Sequence, residues 1–482
     1  MLFRSNLAAG SRYSERIRTV LAAGELRNSS FLYDFGGLRV LFIYFSILGF
    51  EIKIQIHIFK VNISQFVKVQ FTSKYWDSLK KNTLFLISIL FLTSIYGQYK
   101  DIRAGINGLL KQVPAGTQWS VLIIDAETMD TVYTYGHRNL LTPASNTKVV
   151  TSAAALHLLG GDYELSTQFR YSGSVNSSGV LKGNLYLKAL GNPMMTSSDL
   201  INFAKAAKKI GIKSVEGDIV GDDTFFDSLY FRSQYVGGSE ADWETQPLSA
   251  LVLDQNNGIK GNRFTTAPVF ISEKLRGYLA KEGIRVTGKS VAGRLPQNTR
   301  LISSATVRLF DMLKVMNKRS DNFYAEYTMK LISAAVTGAR GSTKDGIRLC
   351  FSFLYDSGAF IKGTAIFDGS GLSHRNKIPT GVIVKIYQYI YSNYVFRSEF
   401  FATLSISGID GTLRGRMQQQ EGENNLHGKT GTLTGVITLS GFFTTKKGRN
   451  MIGAVFFNYR KGDPKFYREL QDKIFNLLIK KL

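Results

Sequence analysis

The chain has 482 residues, room for two or three domains with a sizeable core, and its 44% apolar and 20% charged residues exclude a wholly disordered polymer. Sixty Lys and Arg against 36 Asp and Glu give a net charge of +24, which favours anionic partners, yet no zinc-finger spacing or dense basic tract with interleaved aromatics points to nucleic acid. The single cysteine, Cys350, excludes an intrachain disulfide, and five scattered histidines show no metal-ligand spacing, so neither metal nor organic cofactor is expected.

The first hundred residues are unusual. An apolar run, Val40–Phe50, precedes a stretch at 51–62 that alternates polar and apolar residues. Residues 79–97 then read Leu-Lys-Lys-Asn-Thr, an apolar core Leu84–Ile95, and Tyr96-Gly97. A short basic region, a hydrophobic core and a small residue form the pattern of a secretory signal peptide, and the core is too short for an ordinary spanning helix. A signal peptide belongs at an N-terminus, and no Met occurs between Met1 and Met129. The expectation is a true start near Leu79, with residues 1–78 an untranslated upstream segment. The alternative is a genuine leader with a hydrophobic anchor at 40–50. A retained membrane anchor is the competing reading of 79–97; the expected location is secreted and periplasmic, soluble or loosely membrane-associated, where an anionic wall polymer or membrane surface is the natural partner of the basic charge.

Trp119–Asp125 and Thr131–Gly136 read as a β-hairpin. Leu141-Thr-Pro-Ala-Ser-Asn-Thr-Lys148 follows, and Val149–Leu159 is Ala-rich and apolar on every side, as in a buried helix opening at Ser145. Residues 164–300 are richer in turn dipeptides, with strand-like runs at 167–172, 184–190, 215–220 and 285–292 and helical stretches at 198–210 and 270–282. They read as an inserted α+β domain. From 304 to 336 the pattern is helical. Thr434–Thr444 and Asn450–Asn458 read as strands, and Pro464–Leu482 as a helix. The expected fold is α+β: an antiparallel sheet built from both ends of the chain, flanked by helices. Residues 98–163 and 301–482 would form the catalytic domain.

Three short patterns stand in order: Ser145-x-x-Lys148, Ser320-Asp321-Asn322 and Lys429-Thr430-Gly431. A serine hydroxyl is a poor nucleophile unless a neighbouring base takes its proton. At i and i+3 on a helix, Ser145 and Lys148 share one face, and a buried lysine near other cations is held neutral enough to serve as that base. Ser320 is placed to relay a proton, and Asn322 to bind a substrate amide and the Lys148 ammonium. Lys429 and Thr430 suit a substrate carboxylate. Gly431 lets a substrate backbone lie along an edge strand. A single S-x-x-K carries little weight, since Ser78–Lys81 is another, as Ser174–Asn176 is another S-x-N. Order and context distinguish the three. Asp321, the Asp368–Ser373 turn and Asp410–Leu413 are expected to be structural, Trp119 to be core, and Cys350 to be a buried inert thiol.

With these motifs the sequence resembles the penicillin-binding D-alanyl-D-alanine carboxypeptidase/endopeptidase family, the low-molecular-mass active-serine DD-peptidases with a large insert. The gap of 175 residues from Ser145 to Ser320 matches that class. So do Gly183-Asn-Leu-Tyr-Leu, Gly191-Asn-Pro193, Gly217-Asp-Ile-Val, Asp368-Gly-Ser-Gly-Leu-Ser373 and Asp410-Gly-Thr-Leu413. The likeness covers roughly 100–482. It departs in a short Asn256–Thr266 segment and in Asn192, where relatives carry Asp. The resemblance implies a β-lactamase/transpeptidase-like fold, Ser145 as acylated nucleophile, Lys148 as general base, and Ser320 and Asn322 as the second catalytic element. It implies substrate binding by Lys429, Thr430, Gly431 and Thr432, with the backbone N–H groups of Ser145 and Thr432 as oxyanion hole. Substrates would be peptidoglycan stem peptides, and β-lactam antibiotics would inhibit. The rivals are a β-lactamase-like or esterase serine hydrolase and a catalytically silent cell-wall-binding protein.

Overall fold

The structure is a computed structural model. It describes four strands within residues 29–71 and residues 99–237, 246–259 and 266–482. Met1–Gln98 and Tyr99–Leu482 form two separate units. In the first, β1 (Ser29–Phe35), β2 (Leu38–Ile47), β3 (Phe50–Lys60) and β4 (Gln65–Phe71) form an antiparallel sheet in chain order. Of the apolar run at 40–50, an anchor on the alternative reading of the sequence, residues 40–47 lie in β2 and Phe50 opens β3. The signal-like stretch 79–97 lies outside the described residues. Among the described residues no helix is long and apolar enough to cross a membrane.

In the second unit, α1 (Lys100–Leu110) leads into the hairpin β5 (Gln118–Asp125) and β6 (Thr131–Tyr135). A single 3₁₀ turn, Ala144–Asn146, then runs into α2 (Thr147–Leu159). The expected buried helix is there, but its α-helical part begins two residues after Ser145. Its first ten residues are all buried. At roughly 1.5–3 kcal/mol for each large apolar side chain taken from water, Val149, Val150 and Leu156 anchor it firmly.

Residues 164–308 add β7 (Glu164–Tyr171), β8 (Ser174–Val175), β9 (Val180–Lys182), β10 (Leu185–Leu190) and α3 (Ser197–Lys209). Then follow β11 (Ser214–Val215), β12 (Ile219–Asp222), the short α4 (Arg232–Tyr235) and α5 (Ala267–Lys281). The stretch closes with β13 (Arg285–Val286), β14 (Ser290–Ala292) and β15 (Arg300–Arg308). These strands make a five-stranded sheet, β14-β12-β10-β7-β15, and a four-stranded one, β13-β11-β9-β8. One expectation fails here: 304–308 is strand, not helix. Thr306 and Val307 are β-branched and pair with Ser166 and Leu165 of β7, and helical spacing starts only at Leu309, Met312, Leu313 and Met316. Asn192, at the departure from the family pattern, is buried and donates to the carbonyl of Ala305 in β15 (3.0 Å).

The chain continues through α6 (Leu309–Arg319), α7 (Asn322–Thr337), α8 (Thr343–Asp356), α9 (Thr380–Ser392) and α10 (Tyr394–Thr403). It ends with β16 (Ser405–Ile406), β17 (His427–Leu433), β18 (Val436–Thr444), β19 (Asn450–Asn458) and α11 (Pro464–Lys481). The main sheet is six-stranded, β16-β17-β18-β19-β5-β6, and antiparallel throughout. β18 and β19 are buried on both faces, which explains their nearly unbroken apolar sequences. One face carries α1 and α11 through Ile102, Ile106, Ile474, Phe475 and Leu478; the other meets the core around α2 and α9.

Candidate active site

The serine turn is packed from two sides by glycines. A β-carbon on Gly431 of β17 would stand 2.8 Å from the Pro143 carbonyl oxygen and 3.0 Å from the Ser145 nitrogen. One on Gly371 would stand 1.9 Å from the Ala144 carbonyl oxygen. Only glycine permits these approaches, so β17 and the 368–373 loop hold Ser145 between them. Ala144 is buried with φ +47°, a left-handed conformation that costs a residue with a side chain about 1–2 kcal/mol. Asn146 fastens the turn to the sheet, donating to Thr438 Oγ1 (2.7 Å) and the Lys429 carbonyl (3.2 Å) and accepting from Ser440.

One α-helical turn further, Lys148 is fully buried, and its Nζ touches three oxygens: Ser145 Oγ at 3.0 Å, Asn322 Oδ1 at 2.7 Å and the Ser370 carbonyl at 2.6 Å. Burial pulls this ammonium down to about 8; Glu326, Asp368 and Asp321 act against the shift. Asn322 Oδ1 and the Ser370 carbonyl oxygen only accept, so a neutral Lys148 gives them its two N–H groups. Its lone pair is then left for Ser145, whose hydroxyl can turn round and donate.

Ser320 does not sit on a helix, as the sequence suggested. It ends α6 with φ +57°, and Asp321 then caps α7 by accepting from the Tyr324 N–H (3.0 Å). The break turns Ser320 Oγ to Lys429, whose Nζ donates to it at 2.9 Å and to the Thr430 carbonyl at 2.9 Å. Lys429 is fully buried, and desolvation together with Lys148 holds it well below the usual lysine range. Thr430 Oγ1 donates to Thr412 Oγ1 (2.7 Å) in the Gly411–Leu413 turn.

All eight residues singled out in the sequence converge. Ser145, Ser320, Asn322, Thr430, Gly431 and Thr432 line one cleft of about 520 Å³, with Lys148 and Lys429 buried at its base. The decoys do not join them. Ser174 is exposed and Asn176 bonds within its own turn, while Ser78–Lys81 lies outside the described residues. Cys350 is buried, with its thiol pushed up to about 12 by desolvation. Among the described residues no cluster of His, Cys, Asp or Glu could hold a metal ion.

A supporting layer was not foreseen. The Asp368–Ser373 turn is more than a structural loop, since its Ser370 carbonyl receives Lys148. Asp368 shapes it by accepting from the Gly371 N–H (2.8 Å), the Ser373 N–H (2.7 Å) and Asn376 (2.7 Å). Glu326 accepts from the Gly369 and Ser370 N–H groups (3.1 and 2.9 Å). Arg232 of α4 reaches both carboxylates, at 2.6 Å from Asp368 and 3.5 Å from Glu326. Burial and Asp368 raise the Glu326 carboxyl above its usual range, and Arg232 counters them. Glu326 stands four residues after Asn322 on α7, a spacing that could have suggested it; nothing around Arg232 could.

A family model described as D-Ala-D-Ala carboxypeptidase 3 (S13) matches residues 102–261 and 261–478. The chain is 24% identical over 449 residues to D-alanyl-D-alanine carboxypeptidase DacB of Haemophilus influenzae, covering 79% of this chain and 92% of that protein. It is 26% identical over 430 residues to a D-alanyl-D-alanine carboxypeptidase of an Actinomadura species, covering 72% and 79%. In fold it is similar to the crystal structure of penicillin binding protein 4 from Haemophilus influenzae. The TM-score is 0.66 at 22% identity, over 77% of this chain and 99% of that one.

Proposed function

The chain belongs to the D-Ala-D-Ala carboxypeptidase 3 (S13) family, and from that premise we propose that it hydrolyses D-alanyl-D-alanine ends or cross-links of peptidoglycan through an acyl-enzyme on Ser145. The observation that carries the reading is Lys148 Nζ, buried and within 3.0 Å of Ser145 Oγ, with two carbonyl acceptors taking its other protons.

Neutral Lys148 removes the Ser145 proton as Oγ bonds to the carbonyl carbon of the penultimate D-alanine. The backbone N–H groups of Ser145 and Thr432 hold the negative oxygen. As the intermediate collapses, the C–N bond breaks and the leaving nitrogen receives the proton through Ser320, which Lys429 positions. Asn322 aligns the substrate amide. The hydroxyls of Thr430 and Thr432 take the carboxylate on the leaving residue, with the Lys429 side chain behind them. Water then adds to the ester carbonyl, giving a proton to Lys148, and Ser145 leaves with that proton; the sum is amide plus water to acid plus amine. Among the described residues no Asp or Glu lines the cleft, which supports slow release of a β-lactam that acylates Ser145 over β-lactamase turnover.

On the same reading, residues 98–163 and 301–482 make the catalytic part and 164–300 an insert. The pairing of Glu164 with Arg308, where the chain leaves and returns on adjacent strands, supports this. The 79–97 pattern supports export to the periplasm, where an anionic wall polymer or membrane surface would meet the basic charge.

The test is fluorescent penicillin with intact-mass readout on wild type and Ser145→Ala, beside D-alanine release from a stem peptide. Wild type should gain one covalent adduct and release D-alanine; Ser145→Ala should do neither. A label on Ser145→Ala would remove Ser145 as the nucleophile, and rapid turnover of nitrocefin would favour the β-lactamase reading.

A further inference from the structure

The active-site cleft carries a cation that the acyl-transfer steps leave idle. Arg468 of α11 lines the same cleft as Ser145 and is half-buried. Its neighbour in the cleft, Arg416, is neutralised: Nε meets both Asp472 oxygens at 2.9 Å, Nη2 meets Oδ1 at 2.7 Å, and Nη2 also donates to the Arg468 carbonyl at 2.9 Å. Asp472, one helical turn after Arg468, is thus turned to Arg416. Among the described residues the Arg468 guanidinium has no hydrogen-bond or ion-pair partner. Among the described residues that line the cleft there is no Asp or Glu to compensate the positive charge of Arg468.

Its place is set by a chain of contacts. Thr430 bonds to Thr412; Arg416 lies four residues beyond Thr412; Arg416 bonds to the Arg468 backbone. Thr430, Thr432, Leu433 and Arg468 line the one cleft, so Arg468 shares it with the two hydroxyls that receive the leaving residue's carboxylate on the acyl-transfer reading.

We propose that Arg468 binds a second carboxylate on the leaving side, so that the preferred substrate is a cross-linked peptide whose departing amine belongs to a longer acidic peptide rather than to free D-alanine. This rests on the acyl-transfer reading of Ser145. A free D-alanine leaving group has one carboxylate, on the carbon bearing the amine, and Thr430 and Thr432 take it. A departing peptide carries further carboxylates, and a guanidinium is the side chain best shaped to receive one through paired N–H donors.

The experiment compares wild type, Arg468→Gln and Arg468→Lys on three substrates: a stem peptide that releases D-alanine, a cross-linked dimer, and the same dimer with its leaving-side carboxylates amidated except the one beside the amine. Penicillin acylation is measured in parallel. Arg468→Gln should lower kcat/KM on the dimer about tenfold, the worth of one charge-assisted hydrogen bond, and leave D-alanine release and penicillin acylation within about twofold. Wild type should lose a similar factor when the dimer is amidated, and Arg468→Gln should then be indifferent to amidation. Arg468→Lys should recover part of the loss. Equal losses on all substrates, or a wild type indifferent to amidation, would overturn the assignment even if the variant folds poorly. A wild type that neither takes penicillin nor releases D-alanine would instead bring down the serine reading, and the subsite with it.

Discussion

At the scale of single residues, Lys148 decides how the site behaves with pH. Its neutral form is the base, and burial brings its pKa to about 8. Acylation by penicillin should therefore rise about tenfold per unit below pH 8 and level off above it. A flat profile between pH 5 and 9, measured as the second-order labelling rate, would show that another group takes the serine proton. The base itself was legible in the sequence because its spacing from Ser145 is local: three residues along a helical path fix a shared face. Its two other oxygen partners were not both legible. Asn322 came with its motif. The Ser370 carbonyl is backbone, which any residue type could supply, and only the fold places it 2.6 Å from Nζ.

At the scale of elements, the junction of α6 and α7 shows what periodicity misses. Apolar spacing runs through Met316 on one side and Phe323 on the other, so 304–336 reads as one helical stretch. The interruption comes from Asp321, whose side chain caps the second helix, and from the left-handed turn at Ser320. A serine in that conformation is strained, and glycine is not. Ser320→Gly should thus keep or raise stability, by up to about 1 kcal/mol, while lowering D-alanine release through loss of the hydroxyl. Urea melts beside turnover would check this; a destabilised Ser320→Gly would mean that the Lys429 contact outweighs the backbone strain. β15 was misread for a related reason. Its Arg-Leu-Ile-Ser-Ser-Ala-Thr-Val-Arg sequence is mostly exposed, so it lacks the buried alternation that marks a strand. The hairpin was legible from its paired runs and turn, and α2, β18 and β19 from their unbroken apolar stretches.

At the scale of the whole molecule, α4 from the inserted stretch reaches into the catalytic half. Arg232 is the counter-charge of two buried carboxylates that shape the loop behind Lys148. Arg232→Met should leave that pair of acids unmatched, at a cost of about 3–5 kcal/mol. It should also move the acid limb of acylation to higher pH, because unmatched negative charge favours the Lys148 ammonium. Thermal melts and the labelling profile report the two effects separately; an unchanged limb in a folded variant would show that Arg232 serves packing alone. No sequence signal joins Arg232 to Asp368 across 136 residues, which is why the support for the base was invisible where the base was not. The sheet spans a still greater distance. β5, near the start of the second unit, pairs with β19, and the strand that carries Lys429 through Thr432 lies among the last sixty residues. Translation runs from the other end. A nascent chain therefore holds Ser145 and Lys148 long before it holds the wall that completes their cleft. Acyl transfer can begin only after β17 has been synthesised, so a growing chain would stay silent toward any peptide it meets until then.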